Sequence, residues 1–213
     1  TRRPVEKLSP REGCVASPVE GFVVSYGRVE NGCLLQAKGV TYSLEDLVVD
    51  RGLAKRFFCG SYVTIYLAPG DCHRIYSPVS GFVTMLLHIP GQHLPVSFGL
   101  LGNLPGVFTG NERLVTVVSS EEAGDVAIVK IGALAVGGIR VVYDSFEPSN
   151  RVSRRRYVPP IKVGRGDELG CFELGSTVVL LFQPGRVSLR GLGRVRRVKI
   201  GEPVAWIEKS VDG

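Results

Sequence analysis

A glycine–serine step directly before an apolar run is the feature of this sequence best suited to carry chemistry. Gly175 and Ser176 precede Thr177 and residues 178–182, which are rich in β-branched residues and end before Pro184. This pattern predicts a buried strand. Glycine tolerates strained backbone, and a serine hydroxyl beside a strained glycine carbonyl is what an intramolecular N→O acyl shift requires. The alternative is an ordinary glycine bulge at a strand start.

A second candidate for chemistry is His73, in the segment DCHR at 71–74. An imidazole exchanges protons near neutral pH, so His73 could act as a general acid or base. The alternative is a turn histidine whose ring nitrogens are satisfied by nearby groups. The remaining histidines, His88 and His93, match no catalytic pattern, and we expect them to be structural.

The elements that position these residues are predicted to be short strands. The chain has 213 residues, with 27 glycines and 13 prolines, which implies many turns and one sizeable domain over residues 1–213. We therefore expect a mostly β fold with a few short helices. No apolar stretch approaches the length of a membrane-spanning helix, so we expect no transmembrane segment, while a segment lost upstream is left open.

The five cysteines are odd in number and lack C-x-x-C spacing. A disulfide framework or a zinc site is therefore not expected, and we predict a reducing compartment and no metal ion. We interpret the cysteines as small buried apolar residues.

Several segments have clear local signals. An Asn-Gly pair at 31–32 predicts a hairpin over residues 15–37. Ser43 predicts the start of a short helix, and the alternation over 61–67 predicts a strand. Residues 147–166, with their arginines and a proline pair, predict a mobile loop.

The heptapeptide SPVEGFV at 17–23 recurs as SPVSGFV at 77–83. A Pro-x-x-Gly turn that feeds a strand twice predicts two similar corners in one β architecture. The segment VKIGEPVA at 198–205 indicates a closing hairpin like those of lipoyl- and biotinyl-like barrel-sandwich domains. The predicted fold class is thus a mostly β, barrel-sandwich-like single domain with lipoyl- or biotinyl-like corners.

The formal net charge of +6 is concentrated in the last third of the chain, most densely at Arg151, Arg154, Arg155 and Arg156. A basic patch can bind nucleic acid, an anionic membrane surface or an acidic substrate, and the alternative is a solvated loop without a partner. The segment lacks the interleaved aromatic residues or groove-reading helix of nucleic-acid-binding proteins, so we expect no nucleic-acid partner.

These motifs together resemble the phosphatidylserine decarboxylase family. ELGST at 173–177, followed by VVLLF, resembles the family's self-processing site. YLAPGDCHRIYSPVSGFV at 66–83 resembles its Asp-x-His-Arg segment and the Pro-x-x-Gly turn after it. Asn-Glu-Arg at 111–113 and the glycine-spaced VAIVKIGALAVGGI follow in the family's order, and residues 17–45 match its N-terminal part. The resemblance extends over residues 15–207.

The resemblance implies a lyase that cuts itself between Gly175 and Ser176 and converts Ser176 into a covalent pyruvoyl group. This group serves as an electron sink in the decarboxylation of phosphatidylserine to phosphatidylethanolamine, a step of phospholipid biosynthesis. His73 occupies the position of the family's proton donor. Two positions depart from the family pattern: Glu20 stands where the self-cleavage triad has aspartate, and Tyr76 stands where it has histidine.

A phenol is a poor base at neutral pH, so this departure leaves two alternatives open. In the first, His73 or Glu20 supplies the missing base, and the chain is an active decarboxylase of phosphatidylserine or a close amino-phospholipid or amino-acid relative. In the second, the chain is a catalytically inactive homologue that stays uncut, keeps the fold and binds anionic lipid or a protein partner.

We expect the protein to be peripheral to the membrane, on its cytoplasmic face, because the substrate lies in an anionic bilayer surface. Arg151 and the arginines at 154–156 are predicted to lie on a loop that docks on anionic lipid and closes over residue 176. A homodimer is a further assembly to test.

Overall fold

The computed structural model describes residues 12–37, 40–96, 106–133, 138–172, 176–192 and 195–208. Within these ranges the chain forms sixteen strands and three short helices, which confirms the predicted mostly β fold. The strands are β1 (Cys14–Ala16), β2 (Gly21–Arg28), β3 (Cys33–Ala37), β4 (Val40–Ser43), β5 (Ser61–Leu67), β6 (Arg74–Tyr76), β7 (Gly81–Ile89), β8 (Arg113–Ser120), β9 (Gly124–Ile131), β10 (Ile139–Val141), β11 (Ser153–Val163), β12 (Glu168–Phe172), β13 (Ser176–Phe182), β14 (Val187–Ser188), β15 (Arg196–Val198) and β16 (Pro203–Ile207). The helices are α1 (Leu44–Val48), α2 (Arg51–Phe57) and α3 (Val107–Gly110).

An eight-stranded antiparallel sheet forms the centre of the fold, in the order β11-β7-β8-β9-β13-β5-β2-β15. β13 lies between β9 and β5, with Thr177 opposite Ile131 on one side and Tyr66 on the other. Residues 178–182 are fully buried because apolar side chains cover both faces of the sheet. β-Branched and aromatic residues suit such two-sided burial. The strand predicted after Ser176 is confirmed.

Two further layers cover the faces of the large sheet. The three-stranded sheets β10-β12-β6 and β1-β16-β14 contribute Ile75, Phe172 and Val204 to the apolar cluster on one face. The helices and β3-β4 contribute Leu34 and Phe57 to the cluster on the other face. The result is β-sandwich-like, and the sheets seen in the described ranges do not close into a barrel.

The repeated heptapeptide forms two equivalent corners, as predicted. In each corner the serine hydroxyl, of Ser17 or Ser77, donates to the carbonyl two residues later at 2.7 Å. The amide before each serine donates to the proline carbonyl of the other corner, at 3.0 and 2.9 Å. A Cβ on Gly21 or Gly81 would lie 2.3 or 2.1 Å from a carbonyl oxygen of the neighbouring strand, so only glycine fits at either position.

Two predicted hairpins are wrong. Asn31 and Gly32 do form a tight turn with positive φ values of 51° and 74°, but β2 then pairs with β5 and β15, while β3 pairs with β4. The segment 198–205 runs from the last residue of β15 into β16, and these two strands belong to different sheets. In both cases the turn signal is local, whereas the strand partners are chosen by burial of the apolar faces.

The prediction of a mobile loop over residues 147–166 is also wrong, because most of the segment is β11. This strand pairs with β7 on both sides of a bulge between Arg156 and Ile161. Pro159 and Pro160 lie inside that bulge, where no ladder hydrogen bond is lost, and β11 is an edge strand. Edge strands and bulges are where a sheet tolerates proline.

The helices are short and sit on one face of the large sheet. Ser43 caps α1 as predicted, since its hydroxyl accepts from the amide of Asp46 at 3.3 Å. Asp50 caps α2 in the same way, accepting from the amide of Leu53 at 2.9 Å. None of the helices in the described part of the chain has the length and apolar character needed to cross a bilayer.

Candidate active site

The start of β13 and the turn after β5 lie at the same end of the large sheet. Residues 68–73 join β5 to β6, and residues 173–175 join β12 to β13. β5 pairs with β13, and β6 pairs with β12. The two connections therefore join the same two pairs of neighbouring strands. Ser176 begins β13 opposite Leu67, and its side chain, with Gly175 and the rest of 173–175, lies outside the described residues. The backbone of Ser176 is therefore paired with the residue after which the turn carrying His73 begins.

His73 is fixed against the strand that leads to this step. The amide of Phe172 donates to the carbonyl of His73 at 2.9 Å. The His73 Nδ1 lies 2.8 Å from the carbonyl oxygen of Asp71. A carbonyl can only accept, so Nδ1 is the donor in this hydrogen bond, and Nε2 is the nitrogen left for another partner. That Nε2 is buried and has no partner in the described part of the chain, as expected of a group awaiting a ligand.

The Asp71 carboxylate organises the turn around His73. One oxygen accepts from the amide of Ala68 at 2.8 Å, and the other accepts from Arg197 at 2.7 Å. Arg197 also donates to Glu20 at 3.0 Å, and its guanidinium lies 5.1 Å from the ring centroid of Phe22. Glu20 and Asp71 together raise the pKa of Arg197. Nothing in the sequence signals Arg197, because it lies 126 residues from Asp71.

Glu20 and Tyr76, which depart from the family's triad, lie on segments that are close to each other. Neither side chain is readily available as a base. The amide of Tyr76 donates to the carbonyl of Pro18, two residues before Glu20. Burial raises the pKa of the Tyr76 phenol, and the nearby Cys72 and Glu168 add to this rise. Tyr76 is thus an even poorer base than an exposed tyrosine. The Glu20 carboxylate is occupied by its ion pair with Arg197.

The predicted arginine loop does not lie over this site. Arg154, Arg155 and Arg156 lie on β11, which is four strands away from β13 in the sheet order, or about 19 Å at the usual strand spacing. Arg154 pairs with Asp50 at 2.7 Å. Arg155 pairs with the buried carboxylate of Asp144. These pairs hold the side chains of Arg154 and Arg155 against the protein. The interpretation of a loop that closes over residue 176 is therefore wrong. Arg151 precedes the strand and is exposed.

A buried lysine lies on the other side of β13. Lys130 of β9 is opposite Val178, two residues along β13 from Ser176. Its Nζ donates to the hydroxyl of Thr116, which is also 2.6 Å from the hydroxyl of Tyr143. Desolvation in this apolar layer lowers the pKa of Lys130 to about 7. The sequence gave no reason to expect a charged side chain inside the core at this position.

Comparison with known proteins agrees with the resemblance seen in the motifs. A family profile described as phosphatidylserine decarboxylase matches residues 1–205. The phosphatidylserine decarboxylase proenzyme of Anaeromyxobacter sp. (strain K) is 45% identical over 203 residues, covering 92% of this chain and 72% of the relative. The proenzyme of Myxococcus xanthus (strain DK1622) is 42% identical over 83% of this chain and 64% of its own length. That of Azotobacter vinelandii (strain DJ / ATCC BAA-1303) is 37% identical over 92% and 71%.

The fold and the comparisons thus define a β-sandwich-like lyase domain. The chain belongs to the phosphatidylserine decarboxylase family, which is a family of carboxy-lyases.

Proposed function

We propose that this chain cuts itself between Gly175 and Ser176 and then converts phosphatidylserine to phosphatidylethanolamine with a pyruvoyl group derived from Ser176. The observation that carries this proposal is the His73 Nε2, which is buried and has no hydrogen-bond partner among the described residues. His73 lies on the turn that follows Leu67, the residue opposite Ser176. The names of the relatives also include the word proenzyme, which supports self-cleavage of this chain.

The apolar strand has a clear part in this scheme. After the cut, residues 176–213 would form a separate chain that is no longer joined to residues 1–175 by a peptide bond. β13 pairs along its length with both β5 and β9, and residues 178–182 are fully buried. The hydrogen-bond ladders and the apolar burial therefore hold the new chain start in place.

The described residues fit a pyruvoyl group at position 176. The group supplies an electron sink that draws charge from the substrate as carbon dioxide leaves. His73 is oriented by the Asp71 carbonyl so that Nε2 can hold a proton and deliver it to the substrate carbon. Asp71 and Arg197 fix the turn that presents this nitrogen.

The direct test is decarboxylation of phosphatidylserine by the purified protein and by Ser176→Ala. We expect the variant to be folded, uncut and inactive, with a loss of stability of about 1 kcal/mol. Ser188→Ala on β14 makes the same chemical change away from the site and should keep full activity. Decarboxylation by Ser176→Ala would contradict the pyruvoyl assignment.

A second function is favoured by the occupied triad positions. Glu20 is paired with Arg197 and the pKa of Tyr76 is raised, so neither of the family's usual partners is available to activate Ser176. A chain without a base would stay uncut and bind anionic lipid or a protein partner without catalysis. An intact protein of 23.0 kDa that binds phosphatidylserine vesicles without releasing carbon dioxide would establish this alternative.

We also propose that the protein meets its substrate at an anionic membrane surface on the cytoplasmic face. Arg151 and Arg156 are exposed, and Val158 in the β11 bulge is 92% exposed. Basic side chains beside an exposed apolar residue suit an anionic bilayer surface. Homodimer formation stays a prediction.

A further inference from the structure

A small cavity is lined by side chains from α2 and from the edge strand β11. Its volume is about 330 Å³, which is near the lower end of the range for small-ligand pockets. Three of its lining residues are arginines, namely Arg56 of α2 and Arg154 and Arg156 of β11. Asp50, just before α2, also lines the cavity. The lining thus carries three positive charges and one negative charge.

The strand register directs two of these arginines to the cavity. Arg154 and Arg156 are opposite Leu87 and Met85 of β7. Leu87 and Met85 belong to the apolar cluster on the face of the sheet that the helices cover. Alternate residues of a strand point to the same face, so Arg155, between the two, points to the opposite face. The pairing of β11 with β7 therefore places two guanidinium groups on the α2 side of the sheet.

Two of the three guanidinium groups are held in place by carboxylates. Arg154 donates to one oxygen of Asp50 at 2.7 Å, and Arg56 donates to Asp125. The other oxygen of Asp50 accepts from the amide of Leu53 at 2.9 Å, so each oxygen of this carboxylate has a partner. A guanidinium has five N–H donors, and each ion pair uses one of them. The side chains of Arg154 and Arg56 are 46% and 36% exposed, so their other donors can contact a ligand.

Arg156 differs from the other two arginines because it is exposed and forms no ion pair or hydrogen bond with another described residue. A carboxylate ligand has only two oxygens and can be held by one guanidinium. A phosphate group has more oxygens and can accept from several guanidinium groups at once. Three arginines around one small cavity are therefore suited to a phosphate group.

We propose that this cavity binds a phosphate group, with Arg156 as its main charged contact and Arg56 and Arg154 as donors that are already positioned. The phosphate belongs either to the headgroup of an anionic phospholipid or to a free phosphate ester. Val158 is 92% exposed and lies two residues after Arg156, which favours the lipid because basic and apolar side chains together suit a bilayer surface.

This phosphate site does not depend on self-cleavage. β11 is four strands from β13 in the order of the large sheet, and none of the residues that line the cavity belongs to β13. The inference rests on the proposed function only where it names a membrane lipid as the source of the phosphate.

The test is calorimetric titration of the full-length protein with inorganic phosphate at a constant ionic strength of about 0.15 M, which screens distant charges. Arg156→Gln should weaken phosphate binding about tenfold, because it removes hydrogen bonds between charged groups. Arg156→Lys should recover only part of this loss, since an ammonium group cannot bind a phosphate through two parallel N–H bonds.

Arg51→Gln is the matched control for this titration. Arg51 is an exposed arginine of α2 that does not line the cavity, so the control makes the same change in charge and should bind phosphate as the parent does. Equal weakening by Arg156→Gln and Arg51→Gln would overturn the site, because only net charge would then matter. No binding of inorganic phosphate by the parent at millimolar concentrations would also overturn it.

Vesicles of phosphatidylglycerol and phosphatidylcholine distinguish the two sources of the phosphate. With a lipid as the source, Arg156→Gln should reduce sedimentation with these vesicles more than Arg51→Gln, and glycerol phosphate should release the parent from them. With a free ester as the source, glycerol phosphate should bind in an Arg156-dependent way without releasing the vesicles. Ser176→Ala, which we expect to be uncut and inactive, should bind phosphate like the parent, so a failure of the proposed function is seen separately.

Discussion

The two sides of β13 carry different kinds of chemistry. On the β5 side, His73 is held by a backbone carbonyl, and the charged groups Asp71, Arg197 and Glu20 neutralise one another. On the β9 side, Lys130 is buried without a charged partner in the described residues. The difference shows that charges beside one strand can be balanced by ion pairs on one side, while on the other side burial lowers the pKa of an amine.

The largest expected effect separates the β5 side from self-cleavage. His73→Ala should leave cutting of the chain nearly unchanged and lower the turnover of phosphatidylserine by about 10²–10⁴-fold, because it removes the proton donor. Cleavage on a gel and carbon dioxide release are measured on the same preparation. If His73→Ala blocks the cut instead, His73 is needed for self-cleavage as well as for decarboxylation, which would contradict this division of roles.

Lys130 on the β9 side predicts a pH-dependent change in stability. The pKa of Lys130 falls from 10.5 in the unfolded chain to about 7 in the folded protein, so the folded state binds fewer protons between these values. The free energy of unfolding should therefore rise with pH across this window. Lys130→Met should stabilise the protein by on the order of 3 kcal/mol at pH 6 and by much less at pH 10.

Urea denaturation of parent and variant at both pH values measures this effect. Lys55→Met, at an exposed position of α2, is the matched control and should change stability by about 0.5 kcal/mol or less. An equal effect of Lys130→Met at pH 6 and pH 10 would show that the buried lysine is not the origin of the pH dependence.

The arginines of and before β11 lie far from β13, and we expect them to affect membrane binding only. Arg151→Ser with Arg156→Ser removes two exposed arginines, each contributing about 1 kcal/mol near an anionic surface, so sedimentation with anionic vesicles should weaken about 30-fold at low salt. Arg154→Ser with Arg155→Ser should have a smaller effect, about threefold, because both are already paired with carboxylates. Equal vesicle binding by parent and both variants at low and high salt would exclude this surface.

The smallest expected effect comes from restoring the family's triad residues on the β5 side. Tyr76→His with Glu20→Asp should speed self-cleavage by about tenfold, because an imidazole is a better base at neutral pH than the phenol of Tyr76. The rate of cutting on a denaturing gel measures this. No acceleration by the double variant would show that the loss of the family's triad residues does not limit self-cleavage.

The sequence predicted those parts of the molecule that local patterns determine. The apolar run after Ser176 became β13, the repeated heptapeptide became two matched corners, and Ser43 caps α1. The resemblance placed His73, and the structure shows it on the turn that follows Leu67, the residue opposite Ser176.

Long-range partners were not predictable in the same way. Arg197 reaches Asp71 across 126 residues, and no periodicity or motif connects two such positions. Glu112 and His93 come together because β7 and β8 pair and the segment after β7 folds back on Asn111. β11 was missed because its arginines and prolines are unfavourable for a central strand, whereas an edge strand with a bulge accepts them.

The central claim is that the chain is cut between Gly175 and Ser176, and intact mass spectrometry of the purified, denatured protein tests it most directly. We expect two species, one of residues 1–175 and one of residues 176–213. The second should begin with a pyruvoyl group and therefore have no free amino terminus. A single species of 23.0 kDa, unchanged after long incubation at neutral pH, would contradict it.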